Sequence, residues 1–223
     1  MAKKTKAAQA RDRALYGPST AEVVLGATLS LILGAVLASA FLIAKPVESV
    51  RAIPDEPERN QVYYIAGANA GGGQWLRKKQ IFVEGESMEI DLSENELNRW
   101  ITSTRVKPDA AEAAPMIALR EVNFRIADGK LQVGLPTDIT IPLFNRTIII
   151  QAAGQFKPDG DRFRFDLDRL MVGSLAVHRL PIISGIVAGR LLAAQEMGEE
   201  VTSSWDSLSA VSIEDNKLIL ERL

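Results

Sequence analysis

His178 is the single histidine of this 223-residue sequence, and there is no cysteine. That pairing excludes thiolate zinc sites, iron–sulfur clusters, disulfide frameworks and cysteine nucleophiles, and it leaves no set of imidazoles for a metal. A serine–histidine triad would have to use His178, which stands between Val177 and Arg179 at an expected strand–helix junction and reads as a structural or exposed residue. Carboxylates are more plentiful, with 28 Asp and Glu. Asp166 and Asp168 share one face of an expected strand, where Asp159 or Asp161 could complete a cation site. Their strict alternation with Phe163, Phe165 and Leu167 reads better as the wet face of a sheet. No two acids are singled out as a glycosidase pair. The run Ala66-Gly67-Ala68-Asn69-Ala70-Gly71-Gly72-Gly73 invites comparison with a phosphate loop, yet it lacks both the Lys-Ser/Thr ending and the G-x-G-x-x-G spacing. A linker is the better reading. Asn145-Arg146-Thr147 fits a glycosylation sequon, which acts only in a eukaryotic secretory route. We therefore expect no catalytic residue, no cofactor and no metal, and a protein that is not an enzyme.

The elements around these residues are more informative than the residues themselves. Hydrophobic residues make up 47% and charged residues 24%, which excludes wholesale disorder and collagen-like repeats. A net charge of −2 argues against a nucleic-acid partner. Charge is unevenly spread, because residues 1–22 hold Lys3, Lys4, Lys6, Arg11 and Arg13 against only Asp12 and Glu22. Residues 23–44 then carry no charge. As a helix this stretch would be about 33 Å long, enough for a hydrocarbon core of about 30 Å. It exceeds the usual length of a signal-peptide core, although Ala38-Ser39-Ala40 within it imitates a cleavage site. An uncleaved single-pass anchor is the reading we adopt. The basic tail predicts a cytoplasmic N-terminus, and hence an extracytoplasmic C-terminal domain. Gly26, Gly34 and Ala38 would allow close helix approach, but small residues are common in membrane spans.

Four regions follow: a basic cytoplasmic tail (1–22), a transmembrane helix (23–44), a stalk and Gly-rich linker (45–80) and a folded domain (81–223). Residues 45–60 hold Pro46, Pro54 and Pro57 among many charges, which suggests an extended stalk, and Trp75 begins a short helix. Met88, Ile90 and Leu92 alternate with polar residues as in a strand. Ser93 and Glu96 form a capping box for a helix carrying Leu97, Trp100 and Ile101, which should stop before Pro108. Three hairpins are expected, turning at Asp128-Gly129, at Pro158-Asp159-Gly160 and at Asp215-Asn216. Residues 136–144 should add a further strand or an edge, since Pro136 and Pro142 cannot donate to a ladder. A long helix over residues 180–197 brings Ile182, Ile183, Ile186, Val187, Leu191 and Leu192 to cover the apolar face of the sheet. The predicted fold class is α+β, an antiparallel sheet packed on one long apolar helix behind a single N-terminal anchor.

The segment FVEGESMEIDLSENELNRWI resembles the first strand and "ELN" helix of YpmS-like bacterial envelope proteins. MVGSLAVHRLPIISGIVAGRLL is similar to their glycine, leucine–proline and apolar-helix passage, and VSIEDNKLILERL to their terminal strand pair. The resemblance covers about residues 81–223. It implies a bacterial inner-membrane location and kinship with tubular lipid-binding (TULIP-like) domains, in which a curved sheet and a long helix enclose an apolar groove. It brings no catalytic residue. The expected function is a membrane-anchored, non-enzymatic module that binds a lipid or another elongated apolar ligand. Groove candidates are Ile183, Ile186, Val187, Leu191, Phe124 and Phe165. The alternative is a structural or assembly subunit of a cell-envelope complex, with the bilayer and an envelope protein as its partners.

Overall fold

The computed structural model describes residue 15 and residues 17–70, 73–84, 87–104, 116–142, 144–160, 162–179 and 199–223. The chain divides into two compact units, Met1–Leu42 and Ile43–Leu223. Helix α1 (Thr20–Ala44) starts three residues before the uncharged stretch, because Ser19 and Glu22 cap it reciprocally. The Ser19 amide donates to Glu22 Oε2 (3.0 Å) and the Glu22 amide to Ser19 Oγ (3.3 Å). By length and composition α1 can cross a membrane, and among the described residues it alone passes that test. The same test admits a signal sequence near the N-terminus.

The second unit is mixed α+β with antiparallel sheets. Three short helices are described: α2 (Trp75–Glu84), α3 (Glu94–Thr104) and α4 (Glu199–Asp206). Strands β1 (Glu48–Ser49) and β2 (Tyr63–Tyr64) form a small parallel pair. A three-stranded sheet runs in the order β10 (Ala210–Glu214), β11 (Lys217–Arg222), β3 (Met88–Ser93). The large sheet is a meander of β6 (Lys130–Ile141), β7 (Phe144–Asp159), β8 (Arg162–Val172) and β9 (Leu175–Ala176), with β4 (Ile117–Leu119) and β5 (Asn123–Ala127) both pairing with the outer side of β6.

The three expected hairpins form, and their turns explain why. Asp128, Gly129, Asp215 and Asn216 all have positive φ (55°, 66°, 47° and 59°), which two-residue loops need if they are to follow the right-handed strand twist. Gly160 does the same in the second hairpin (φ 67°). That hairpin also holds a register shift at Ala153/Gly154. A Cβ on Gly154 would fall 2.0 Å from the Asp166 carbonyl oxygen, so the bulge requires glycine there.

Residues 136–141 differ from expectation: they are not a separate strand but the second half of β6. Pro136 is tolerated there because its missing N–H faces a gap. Its carbonyl accepts the Arg120 N–H (2.8 Å), and in a strand a residue's N–H and C=O point to the same side. That side is the interruption between β4 and β5, so no ladder bond to β7 is lost.

The core lies between the three-stranded sheet, α2, α3 and the Leu131 end of the large sheet. Phe82, Ile90, Leu92, Leu97, Trp100 and Leu220 are buried at its centre. Phe82 meets Trp100 edge-on at 5.1 Å, and Phe156 sits 5.3 Å from both Phe165 and Trp205. The long helix expected at residues 180–197, and its packing on the sheet, lie outside the described residues.

Candidate functional site

Four of the six candidate groove residues, Ile183, Ile186, Val187 and Leu191, also lie outside the described residues. Phe124 and Phe165 are half-buried and pack against the core, on the same face of the large sheet. Beyond them that face turns mainly aliphatic, with Thr137 and Arg146 among its residues. The register places Leu135 beside Ile150 and Ile150 beside Val172, while Ile117 and Leu119 sit beside Ile139 and Thr137. Leu135 and Ile148 are buried, Leu119, Ile139, Ile150 and Val172 half-buried, and Ile117 and Ile141 exposed. From Leu135 to Ile141 this strip extends about 20 Å along β6.

Of the charged candidates, Asp161 lies outside the described residues and the others are engaged in ion pairs. Asp166 pairs with Lys157, Asp168 with Lys130 (2.7 Å) and Asp159 with Arg164 (3.5 Å). Among the described residues no three His, Asp or Glu side chains are grouped to hold an ion. His178 Nδ1 lies 3.0 Å from the Leu170 carbonyl oxygen and 3.4 Å from the Leu170 amide, a backbone contact beside β8.

Residues 45–80 are expected as stalk and linker, but side chains hold Tyr64, Gly67, Ala68, Ala70, Gln74 and Lys78 of this segment against the domain. Tyr64 of β2 is buried, its ring fills the space over Gly134 of β6, and its hydroxyl donates to Asn123 Oδ1 (3.3 Å). Burial raises the Tyr64 phenol above its ordinary value. Asn123 also accepts the Gly67 amide and donates to the Gly67 carbonyl (3.3 Å). Glu94 accepts the Ala68 amide through one oxygen and the Ile126 amide through the other (2.9 Å). Asn95 accepts the Ala70 amide at 2.9 Å. Asn98, 1% exposed, donates to the carbonyls of Ala68 (3.0 Å) and Phe124 (2.7 Å) and accepts the Phe124 amide (2.6 Å). The polar residues of the sequence ENELN therefore strap Ala68, Ala70 and Gln74 across α3 and also satisfy the unpaired edge of β5. Their dense polarity at a helix start was the available signal.

Under the strap is a polar cleft of about 380 Å³, lined in part by Ala70, Lys78, Asp91, Asn95, Glu96 and Lys217. Its charges neutralise one another. Lys78 Nζ donates to the Asp91 carbonyl (2.6 Å) and pairs with Glu96 (2.8 Å) and Asp91 (3.2 Å), while Lys217 pairs with Asp91 (2.7 Å). A hydrogen bond from Lys217 chiefly holds the Asp91 carboxyl below its ordinary value, helped by Lys78. Burial pushes the Glu96 carboxyl up, but hydrogen bonds from Lys78, Ser93 and Gln74 outweigh it and leave it lowered. Ionised and paired, both are poor proton carriers and good struts. Comparison with protein-family models, with curated proteins and with solved structures gives no match to this chain.

The lowered carboxyls set an acid limit. The folded chain binds fewer protons at these sites than the unfolded chain, so their stabilisation is complete above the ordinary carboxylate range and is lost as pH falls through it and below the folded values. The urea midpoint is expected to hold steady from pH 7 to about 5 and then to drop. Glu96→Gln should lower the midpoint at pH 7 and make the acid drop shallower. An unchanged profile in that variant would mean that Glu96 contributes no acid-sensitive stability.

Proposed function

We propose that the chain is a single-pass, membrane-anchored module that works without catalysis and binds a lipid or another elongated apolar ligand outside the cytoplasm. The observation that supports this reading is the aliphatic strip from Leu135 to Ile141, continuous with the half-buried Phe124 and Phe165 and ending in the exposed Ile117 and Ile141. Aliphatic contact is non-directional and worth about 0.8 kcal/mol per buried methylene, which suits an acyl chain. The groove candidates Ile183, Ile186, Val187 and Leu191 would supply its second wall. Five basic residues in the first 13 support a cytoplasmic N-terminus with the domain on the outer side, and the resemblance to YpmS-like envelope proteins supports a bacterial inner membrane.

The second reading, an assembly subunit of an envelope complex, draws support from the opposite end of the sheet. There Phe156 packs on both Phe165 and Trp205 and fills the space with aromatic rings. One preparation separates the two. Protein extracted gently from membranes is expected to carry stoichiometric lipid by native mass spectrometry, and Ile150→Trp, which fills the strip, should lose the lipid while the fold persists. A reporter fused after Leu223 should be active only outside the cytoplasm. A folded wild-type chain that carries no lipid and takes none from vesicles would leave the assembly reading standing.

A further inference from the structure

Among the described residues of the second unit, the exposed large apolar side chains Ile53, Leu76 and Leu223 are scattered, but Met116, Ile117 and Ile141 gather at one end of the large sheet. The Thr140 amide donates to the Met116 carbonyl (2.8 Å), Ile117 is in register with Ile139, and Ile141 follows two residues later on the same face. They are 67%, 59% and 43% exposed. Such a patch on an edge strand invites strand pairing or aggregation unless something covers it.

Two features of the second unit say what covers it. β1 begins at Glu48, four residues beyond Ala44, which allows the chain no more than about 14 Å between them. That pair of strands is fixed to the large sheet through Tyr64 and Gly134. Arg146, in register with Ile139 beside the patch, donates from Nη1 to the Ala44 carbonyl (3.5 Å). The apolar end therefore lies next to the point where the polypeptide enters the domain from its long apolar segment. Its chemistry fits the boundary between headgroups and acyl chains: aliphatic side chains flanked by the exposed Arg146. The acid there, Asp138, is already compensated by Arg120 (2.7 Å) and Thr147 (2.6 Å).

We propose that Met116, Ile117 and Ile141 rest in the headgroup–acyl boundary of the same bilayer that α1 spans, so that the aliphatic strip opens onto the lipid surface. The proposal rests on the anchored reading above and deepens it by naming the surface from which the strip would draw its ligand.

The absence of cysteine makes the test direct. Ile117→Cys, Ile141→Cys and, about 30 Å along β7 from the patch, Gln155→Cys are each labelled with a nitrobenzoxadiazole fluorophore. The labelled full-length chains are reconstituted into phosphatidylcholine–phosphatidylglycerol vesicles. Labels at 117 and 141 are expected to emit at shorter wavelength than the label at 155, and headgroup-proximal doxyl lipid should quench them by half or more while sparing 155. Water-like emission at both positions overturns the proposal. Emission shifted to the blue without doxyl quenching also overturns it, because a protein surface would then cover the patch. Release of the chain from the vesicles by alkaline carbonate overturns the anchored reading, and the docking with it. A retained chain with water-like labels overturns the docking alone.

Discussion

Gly67→Ala is expected to lower the stability of the folded unit by about 3–5 kcal/mol, among the largest effects of any single substitution in the described residues. A Cβ at this position would lie 1.8 Å from the Phe124 carbonyl oxygen and 2.7 Å from its carbon. Those are backbone atoms of β5 and cannot rotate aside, so either the strand shifts or the strap lifts. Lifting breaks the two bonds between Gly67 and Asn123 and the bond from Ala68 to Glu94. Urea unfolding of the detergent-solubilised full-length chain, followed by tryptophan fluorescence, measures the loss. Gly129→Ala is the control. Nothing lies within 4 Å of its Cβ, and only its positive φ opposes the change, at about 1 kcal/mol. Equal midpoints for the two variants would contradict the close approach of strap and strand.

Asn98→Leu should cost about 3–5 kcal/mol by a different route. The leucine matches the volume and keeps the apolar contacts, but the Phe124 amide and carbonyl lose their partners in a buried setting, at about 1–3 kcal/mol each. Exposed Ala68 can turn its carbonyl to water. Asn98→Asp separates the hydrogen-bonding role from mere polarity. An ionised carboxylate still accepts the Phe124 amide, yet it can donate to neither carbonyl and sets a charge against both. The folded state then favours the protonated acid, so the deficit of Asn98→Asp should shrink as pH falls, whereas that of Asn98→Leu should not. Amide hydrogen exchange at Phe124 and Ile126 reads the local consequence. Unchanged protection there in both variants would show that Asn98 is not what satisfies the β5 edge.

The contrast between these residues and the hairpins explains which parts of the fold the sequence discloses. Asp128-Gly129 and Asp215-Asn216 determine their turns through their own backbone preferences, and the Ser93–Glu96 box acts across three residues. Interactions of that range leave a local signature. The strap leaves none, because Gly67 meets Asn123 and Phe124 across more than fifty residues. A glycine-rich run reads as loose chain until the surface it lies on is known. Pro136 misleads for the same reason: whether a strand tolerates proline depends on which neighbour its nitrogen faces, here a gap between two short strands. The candidate groove was only partly legible, since apolar alternation gives the face a residue occupies but not what fills the space above it. Phe124 and Phe165 share their face with Leu135 and Ile150, yet aromatic packing occupies one end and aliphatic side chains line the other.

The antiparallel pairing of β3 with β11 joins residues 88–93 to residues 217–222. Polypeptide leaves the ribosome, or an export channel, N-terminal end first. The ladder hydrogen bonds of Met88–Ser93 must therefore wait, with their side chains covered only by α2 and α3, until nearly 130 further residues have emerged. A chain built this way cannot complete its core prematurely, so it stays threadable for as long as it is being threaded. Any product cut short before Leu218 would leave a sticky half-sheet for proteases and chaperones to recognise. Delay and proofreading thus follow from a single strand pairing.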